Sequence, residues 1–391
     1  MEARTAVLER LAALALPTQV ERVALQDVDG RVMAEEIRAD RDSPPLARSI
    51  RDGFAVRAAS LPGTLRIIGE VRAGEISGLH VGPGEALEIM TGAPVPPGAD
   101  CIVMVEHTDR LGGEVRIERT QKPGDFINPA GAEGKAGGLL LSPGERVTFP
   151  RVAMLASAGC ATVAVHRRPR VAILSTGDEV VPLSQVPQPH QVRNSNAHSL
   201  AAQVRRAGGD ALILPVAADR YDATRDLIET GLREDLLLIS GGVSAGKYDI
   251  VEKVLADLGT EFYFTRVRIQ PGQPLVFGRA RDRFFFGLPG NPASTMVTCE
   301  VFARAAVEFL SGIAHPALPL FHAALTEPFR HKPGLTRFLP AAISPDGRAV
   351  TPVRYHGSSD IPALARANAF LVAEEARESW ERGELISVLP I

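Results

Sequence analysis

Three short strings place glycine beside hydroxyl, amide and carboxylate side chains: STGDE (175–179), SGGVSAGKYD (240–249) and GLPGNP (287–292). Glycine lacks the side chain that keeps a ligand away from backbone N–H groups, so Gly241, Gly242 and Gly290 suit close approach by an anion. Asn291 is expected to cap a helix whose first turn holds Pro292, which aims further N–H groups at the same point. Ser175, Thr176, Gly177, Ser240 and Ser244 add small polar contacts. Asp178, Glu179 and Asp249 stand among them. Carboxylates beside a phosphate repel it unless a cation lies between, so the strings together predict a phosphate-bearing ligand held with Mg²⁺, these three residues being the candidate metal ligands.

Such strings work only if the fold delivers them to one place. RVAILS (170–175) and DLLLIS (235–240) are short, wholly apolar runs with a polar end, the pattern of strands buried on both faces. Helical patterns at 196–207, 221–233 and 250–258 alternate with strand patterns at 170–175, 211–215 and 235–240. Further strands near 262–267, 275–277 and 284–287 lead into a helix over 292–310. Strand alternating with helix predicts a doubly wound, mostly parallel α/β sheet, and the three strings then fall beyond the carboxyl ends of its strands, where such sheets bind ligands.

The rest of the chain reads differently. Residues 4–16 predict an amphipathic helix stopped by Pro17, and residues 20–37 read as two short strands around the Asp29-Gly30 turn. Residues 60–127 carry short apolar runs between PG, GP and GG turns, an all-β pattern. A polar break at 166–170 marks a boundary. Short strands return from 314 onward and predict a small β-barrel or sandwich.

The 391 residues carry 43 Lys and Arg against 46 Asp and Glu, a formal charge of −3, which argues against a protein held to nucleic acid or anionic lipid by bulk charge. Cys101, Cys160 and Cys299 are far apart and read as small buried hydrophobes, which suits a reducing compartment. The longest charge-free apolar run, 152–165, is too short to span a bilayer, so a soluble cytoplasmic protein is expected. No GxGxxG, P-loop or GxSxG string is present, and no two of the nine His stand at metal-ligand helical spacing.

At this point the strings resemble one family: the MoeA-type molybdopterin molybdenumtransferases, whose eukaryotic relatives include the E domains of gephyrin and plant Cnx proteins. VALQDVDGRVMAEEI (23–37) is similar to the family opening, SPPLARSIRDGFAVR (43–57) to its PPFxxSxMDGYAV signature, and IMTGAPVPPGAD (89–100) is nearly unaltered. STGDE, the Asn194-Ser195-Asn196 turn, SGGVSxGxxD and GLPGNPxS follow in the family order. The resemblance implies an elongated N-terminal region (1–42 and 128–166), an inserted β-rich domain (43–127), a MogA-like α/β domain (167–313) and a C-terminal β-barrel domain (314–391). It implies a homodimer whose site joins the α/β domain of one subunit to the insertion of the other. It also implies a Mg²⁺-dependent transfer of molybdate into adenylylated molybdopterin with release of AMP. Asp52, Thr91, Glu179, Asp219 and Asp249 then fall at catalytic positions, and Ser358 of GSSD joins the ligand contacts.

The chain departs from that pattern where cations are usual. QPGQP (270–274) stands for KPGKP, so Gln270 and Gln273 replace two Lys; Leu335 and Pro340 stand where Arg is common, leaving Arg337 nearby; Arg51 takes the place of a Met. Arg48, Arg51, Arg266 and Arg268 are the candidates to compensate. Two other readings follow: a molybdopterin adenylyltransferase, or a weakened molybdopterin-binding scaffold of the same fold. Adenylyltransferase and molybdoenzyme partners are possible protein contacts under the resemblance.

Overall fold

A computed structural model describes residues 2–242 and 250–391. The chain divides into two compact units, one of Met1–Ala34, Pro143–Thr148 and Thr162–Ile391, the other of Glu35–Ser142 and Phe149–Ala161.

The larger unit is built on a six-stranded sheet. Its elements are β1 (Arg170–Ser175), α1 (Ser195–Ala207), β2 (Asp210–Ile213), α2 (Tyr221–Gly231), β3 (Leu236–Ser240), α3 (Ile250–Asp257), β4 (Glu261–Arg266), β5 (Pro274–Ala280) and β6 (Arg283–Leu288). The strand order is β2-β1-β3-β6-β5-β4. The first four strands are parallel, whereas β5 runs antiparallel to both β6 and β4. The sheet is therefore mixed at one edge: β5 and β6 are joined by only two residues, Arg281 and Asp282, too few for a parallel crossover.

Alternate residues of each strand enter different cores. Val171, Ile173, Leu236, Leu238, Phe284 and Phe286 pack with Leu200 and Val204 of α1 on one face. Ala172, Leu174, Leu237, Ile239 and Phe285 pack with Ile228 of α2 and Val251 and Val254 of α3 on the other. Burial on both faces explains why β1 and β3 read as unbroken apolar runs. After β6 the chain forms α4 (Pro292–Thr298), a π-helical segment (Cys299–Ala303) and α5 (Arg304–Leu310). The single helix expected over 292–310 is thus continuous, with a π segment in its middle. The N-terminal helix, Glu2–Leu14, adds Val7 and Leu11 to the first core.

The hairpin expected over 20–37 does not form. Val20–Ala24 pairs instead with Thr162–His166, antiparallel and about 140 residues away in sequence, Val20 opposite His166. The Asp29-Gly30 turn is present but leads Val32 and Met33 into isolated bridges with Arg146 and Val165. Pairing across that separation leaves no local pattern to read.

From Phe321 the chain forms a closed five-stranded barrel of Phe321–Leu325, Thr336–Ile343, Ala349–Pro352, Ala369–Ala373 and Leu385–Pro390, sealed by the pairing of Thr336–Ile343 with Ala369–Ala373. Closure selects the barrel over the sandwich. A short strand from the α/β part, Ile269–Gln270, joins it in parallel at Thr336 and Arg337.

In the smaller unit, six strands lie in the order Cys101–Met104, Gly53–Val56, Glu85–Ile89, Gly63–Val71, Glu114–Ile117 and Asp109–Leu111. The all-β expectation for residues 60–127 agrees with these strands; the same unit also holds the helix Phe149–Ser157, outside that range. Among the described residues no helix is long and apolar enough to cross a membrane.

Candidate functional site

In the parallel part of the sheet the chain leaves β1 for β2 on one side, then crosses back to β3 on the other. This reversal opens a crevice at the carboxyl ends of β1 and β3. A cleft of about 1030 Å³ lies there. Ser175 at the end of β1 and Thr176, Gly177 and Glu179 from the loop after it line the cleft, with Asp219 from the loop after β2, Ser240 at the end of β3, and Gly241 and Gly242 just beyond it. Gly290 and Asn291 after β6 complete this set.

Hydrogen bonds fix the loops against one another. Thr176 N–H donates to Ser240 O (3.1 Å), Gly177 N–H to Ala217 O (3.2 Å) and Gly241 N–H to Leu288 O (3.1 Å). Asn196 ties two of the strings together, its Nδ2 donating to Ser240 Oγ (2.9 Å) and Gly290 O (2.7 Å). Asn194 caps α1: Oδ1 accepts from Ala197 N–H (3.1 Å) and from Ser175 Oγ (2.9 Å).

The glycines have specific reasons. Gly241 and Gly242 have φ of +92° and +62°, and a Cβ on either would crowd Thr176 Oγ1, at 3.0 and 2.8 Å. Gly177, at φ +125°, lies beneath the Glu179 carboxylate; a Cβ there would stand 2.5 Å from Glu179 Oε2. The carboxylate thus folds back over the turn that precedes it.

Several expected residues take other places. Asp178 does not line the cleft; its Oδ1 accepts from the backbone N–H of Asp219 (3.0 Å) and so joins the loops after β1 and β2. Asn291 lines the cleft but makes no side-chain cap: the N–H and hydroxyl of Thr295 bond to its carbonyl oxygen instead. Ser358 gives its carbonyl to Ala293 N–H (2.8 Å), and its neighbour Ser359 lines the cleft. Asp360 holds that GSSD turn, accepting from the N–H groups of His356 and Ala363, which keep its carboxyl below the usual range. Ser244 and Asp249 lie outside the described residues.

Arg193, which the motifs did not single out, is the only cation among the described residues lining the cleft, and its Nε donates to Gln185 O (3.1 Å). Arg266 and Arg268 do not line it, and Arg268 instead bonds Gly334 O and pairs with Glu375. Only the Asn-Ser-Asn turn before α1 could have pointed to Asn194 and Asn196.

In the smaller unit, Asp52 Oδ1 accepts from both the N–H (2.6 Å) and the hydroxyl (2.8 Å) of Thr91. The two bonds hold the Asp52 carboxyl below its ordinary range. Arg48 and Arg51 belong to the same unit.

Among the described residues no group of three or more His, Cys, Asp or Glu side chains is placed to hold a metal ion. Glu179 and Asp219 nevertheless give the cleft two hard oxygen donors. Mg²⁺ commonly takes one or two carboxylates, with substrate phosphates and water completing its shell, so this donor set fits a cation that arrives with its ligand.

Residues 1–159 match the family described as MoeA N-terminal region (domain I and II), residues 172–309 a probable molybdopterin binding domain, and residues 322–391 the MoeA C-terminal region (domain IV). The chain is 35% identical to a protein of Bacillus subtilis named molybdopterin molybdenumtransferase, over 95% of this chain and 90% of that one. A protein of the same name from Nostoc is 37% identical over 77% and 72%. Among solved structures, a molybdopterin biosynthesis MoeA protein from Pyrococcus horikoshii aligns at a TM-score of 0.81 and 25% identity, covering 100% of this chain and 98% of that one.

Proposed function

We propose that this chain, which belongs to the MoeA family, is a molybdopterin molybdenumtransferase acting in molybdenum cofactor biosynthesis. The observation that carries the reading is the cleft at the strand reversal, where glycine turns and amide side chains stand with two carboxylates. The substrate of the proposed reaction is adenylylated molybdopterin, and molybdate is the oxyanion delivered to its dithiolene sulfurs as the phosphoanhydride is cleaved and AMP leaves.

Within that reading the turns at Gly241, Gly242 and Gly290 let the ligand approach the backbone. Asn196 keeps two of them in register, and Thr176 fills the space beneath the first. Ser175, Gly177, Ser240 and Asn291 form the rest of the cradle, and Ser244 and Ser358 are proposed as further ligand contacts. Glu179 and Asp219 supply negative oxygen at the cleft; Asp249 and, in the other unit, Asp52 and Thr91 belong to the proposed catalytic set. Mg²⁺ bound with the ligand would offset the charge that develops on the phosphate oxygens, with Glu179 and Asp249 as its proposed protein ligands; Asp178, expected as a third, is turned to the N–H of Asp219 and positions that loop instead. The four-part division at 43, 128, 167 and 314, a homodimer and a cytoplasmic location are parts of the same proposal.

The replacement of expected cations by Gln270, Gln273, Leu335 and Pro340 favours one competing reading, a scaffold that binds molybdopterin without turning it over. A single-turnover reaction with adenylylated molybdopterin, Mg²⁺ and titrated molybdate separates the two. Molybdate-dependent AMP release, coupled to activation of an apo-molybdoenzyme, is expected. Tight pterin binding without AMP release would establish the scaffold, and formation of adenylylated molybdopterin and pyrophosphate from ATP and molybdopterin would point to the adenylyltransferase.

A further inference from the structure

Asn194 is buried, with only 7% of the residue's surface exposed, and it caps the N-terminus of the 13-residue helix α1 on the wall of the cleft. Its orientation is fixed by chemistry. Ala197 N–H can only donate, so the atom facing it must be the acceptor Oδ1, and Ser175 Oγ bonds the same oxygen. The amide nitrogen therefore points the other way. Among the described residues no acceptor meets Nδ2, and Asn194 lines the cleft, so the donor is not held by the protein there.

An aspartate would cap the helix equally well, because both bonds go to Oδ1 and helix N-termini favour a negative charge. What asparagine adds is a neutral donor on a wall whose charged members are Glu179, Asp219 and Arg193. We propose that Asn194 is a specificity-determining residue of the cleft: Nδ2 donates to an anionic oxygen of the bound ligand, in the class of phosphate esters. The inference rests on the ligand reading given above. The helix N-terminus points the same way, and Arg193, next in sequence, provides the positive charge.

Two substitutions separate this role from capping. N194D keeps the acceptor and the shape but exchanges a donor for a negative charge; N194S keeps a capping oxygen and removes the amide N–H₂, its shorter hydroxyl being used at the cap. The measurement is isothermal titration of the full chain with AMP as probe, with Mg²⁺ present, at low and high salt, alongside thermal unfolding. The expected order of affinity is Asn above Ser above Asp, with N194S weaker by about tenfold and N194D by about 30-fold or more, and with the N194D loss shrinking at high salt. Thermal midpoints should stay close together. If N194D unfolds early, N194S decides alone. Equal affinity in all three forms, or an N194D form that binds as well as the unsubstituted chain, would reduce Asn194 to a cap and overturn the proposal. Failure of the unsubstituted chain to bind AMP would overturn the phosphate reading of the cleft together with this one, so the two failures are distinguishable.

Discussion

Asp52 receives two hydrogen bonds from one residue, Thr91, and both fall on the same oxygen, Oδ1. The DG turn and the MTG string are 39 positions apart, yet the strands carrying them, Gly53–Val56 and Glu85–Ile89, are antiparallel neighbours with Gly53 opposite Ile89. That register places Thr91 beside Asp52. The arrangement steadies one carboxylate oxygen and leaves Oδ2 without a bond among the described residues.

The first prediction follows from the depressed Asp52 carboxyl. Its charged form is favoured in the folded state, so the linked stability is present above the ordinary carboxylate range and fades as pH falls through the lower folded value. Thr91→Val removes the hydroxyl and keeps the backbone donor. Carboxyl titration by NMR should show Asp52 moving up part of the way toward its ordinary value. The variant's stability deficit should be present at pH 7 and vanish in strong acid. Asp52→Ala should lower turnover by about 100-fold or more while leaving the fold intact; full turnover would remove Asp52 from the proposed catalytic set.

A second prediction concerns the missing cations. Gln270 lies opposite Arg337 in the short parallel ladder that joins the α/β part to the barrel, and Arg337 Nε is buried with no acceptor among the described residues. Glutamine offers hydrogen bonds but no charge to an oxyanion. Restoring lysine at both positions, as Q270K with Q273K, should lower the molybdate concentration for half-maximal turnover by about tenfold. An unchanged value would show that the two glutamines are not a weakened clamp.

The α/β part was legible because each strand carries its own signature. Val171, Ile173, Leu236 and Leu238 belong to runs buried on both faces, and the glycine turns follow directly on β1, β3 and β6. Where partners are distant the signal failed. Val20–Ala24 resembles half of a hairpin in sequence because nothing local announces Thr162–His166 as its true neighbour. The same holds in the cleft. Asp178 and Glu179 are adjacent and chemically alike, yet one bonds the next loop while the other folds over Gly177, a difference set by backbone direction. The position of Asn291 before Pro292 suggests a cap, but Thr295 reaches the carbonyl oxygen and makes the side chain unnecessary there.

The cysteines give a third prediction. Cys101 and Cys299 are buried, and burial pushes both thiols up, Cys101 to about 12. Both stay protonated and unreactive at pH 8, whereas Cys160 is only partly covered. An aromatic disulfide reagent should label one thiol in the folded protein and three in denaturant. Rapid labelling of all three in the folded protein would mean that one of the two buried sites opens readily.

The last prediction separates the two neighbours of STGDE. Asp178 Oδ1 holds the backbone N–H of Asp219, so its first duty is to position a loop, and an amide can perform it. Glu179 lines the cleft and contributes charge there, which an amide cannot replace. Asp178→Asn should therefore retain most of the single-turnover rate, while Asp178→Ala loses about tenfold through displacement of Asp219. Glu179→Gln should lose about 100-fold or more and should also shift the Mg²⁺ dependence of the reaction, with no change in thermal midpoint. If Asp178→Asn is as damaged as Glu179→Gln, and its Mg²⁺ requirement moves as far, then Asp178 carries charge to the ligand as well, and its bond to Asp219 is the arrangement of the empty cleft alone.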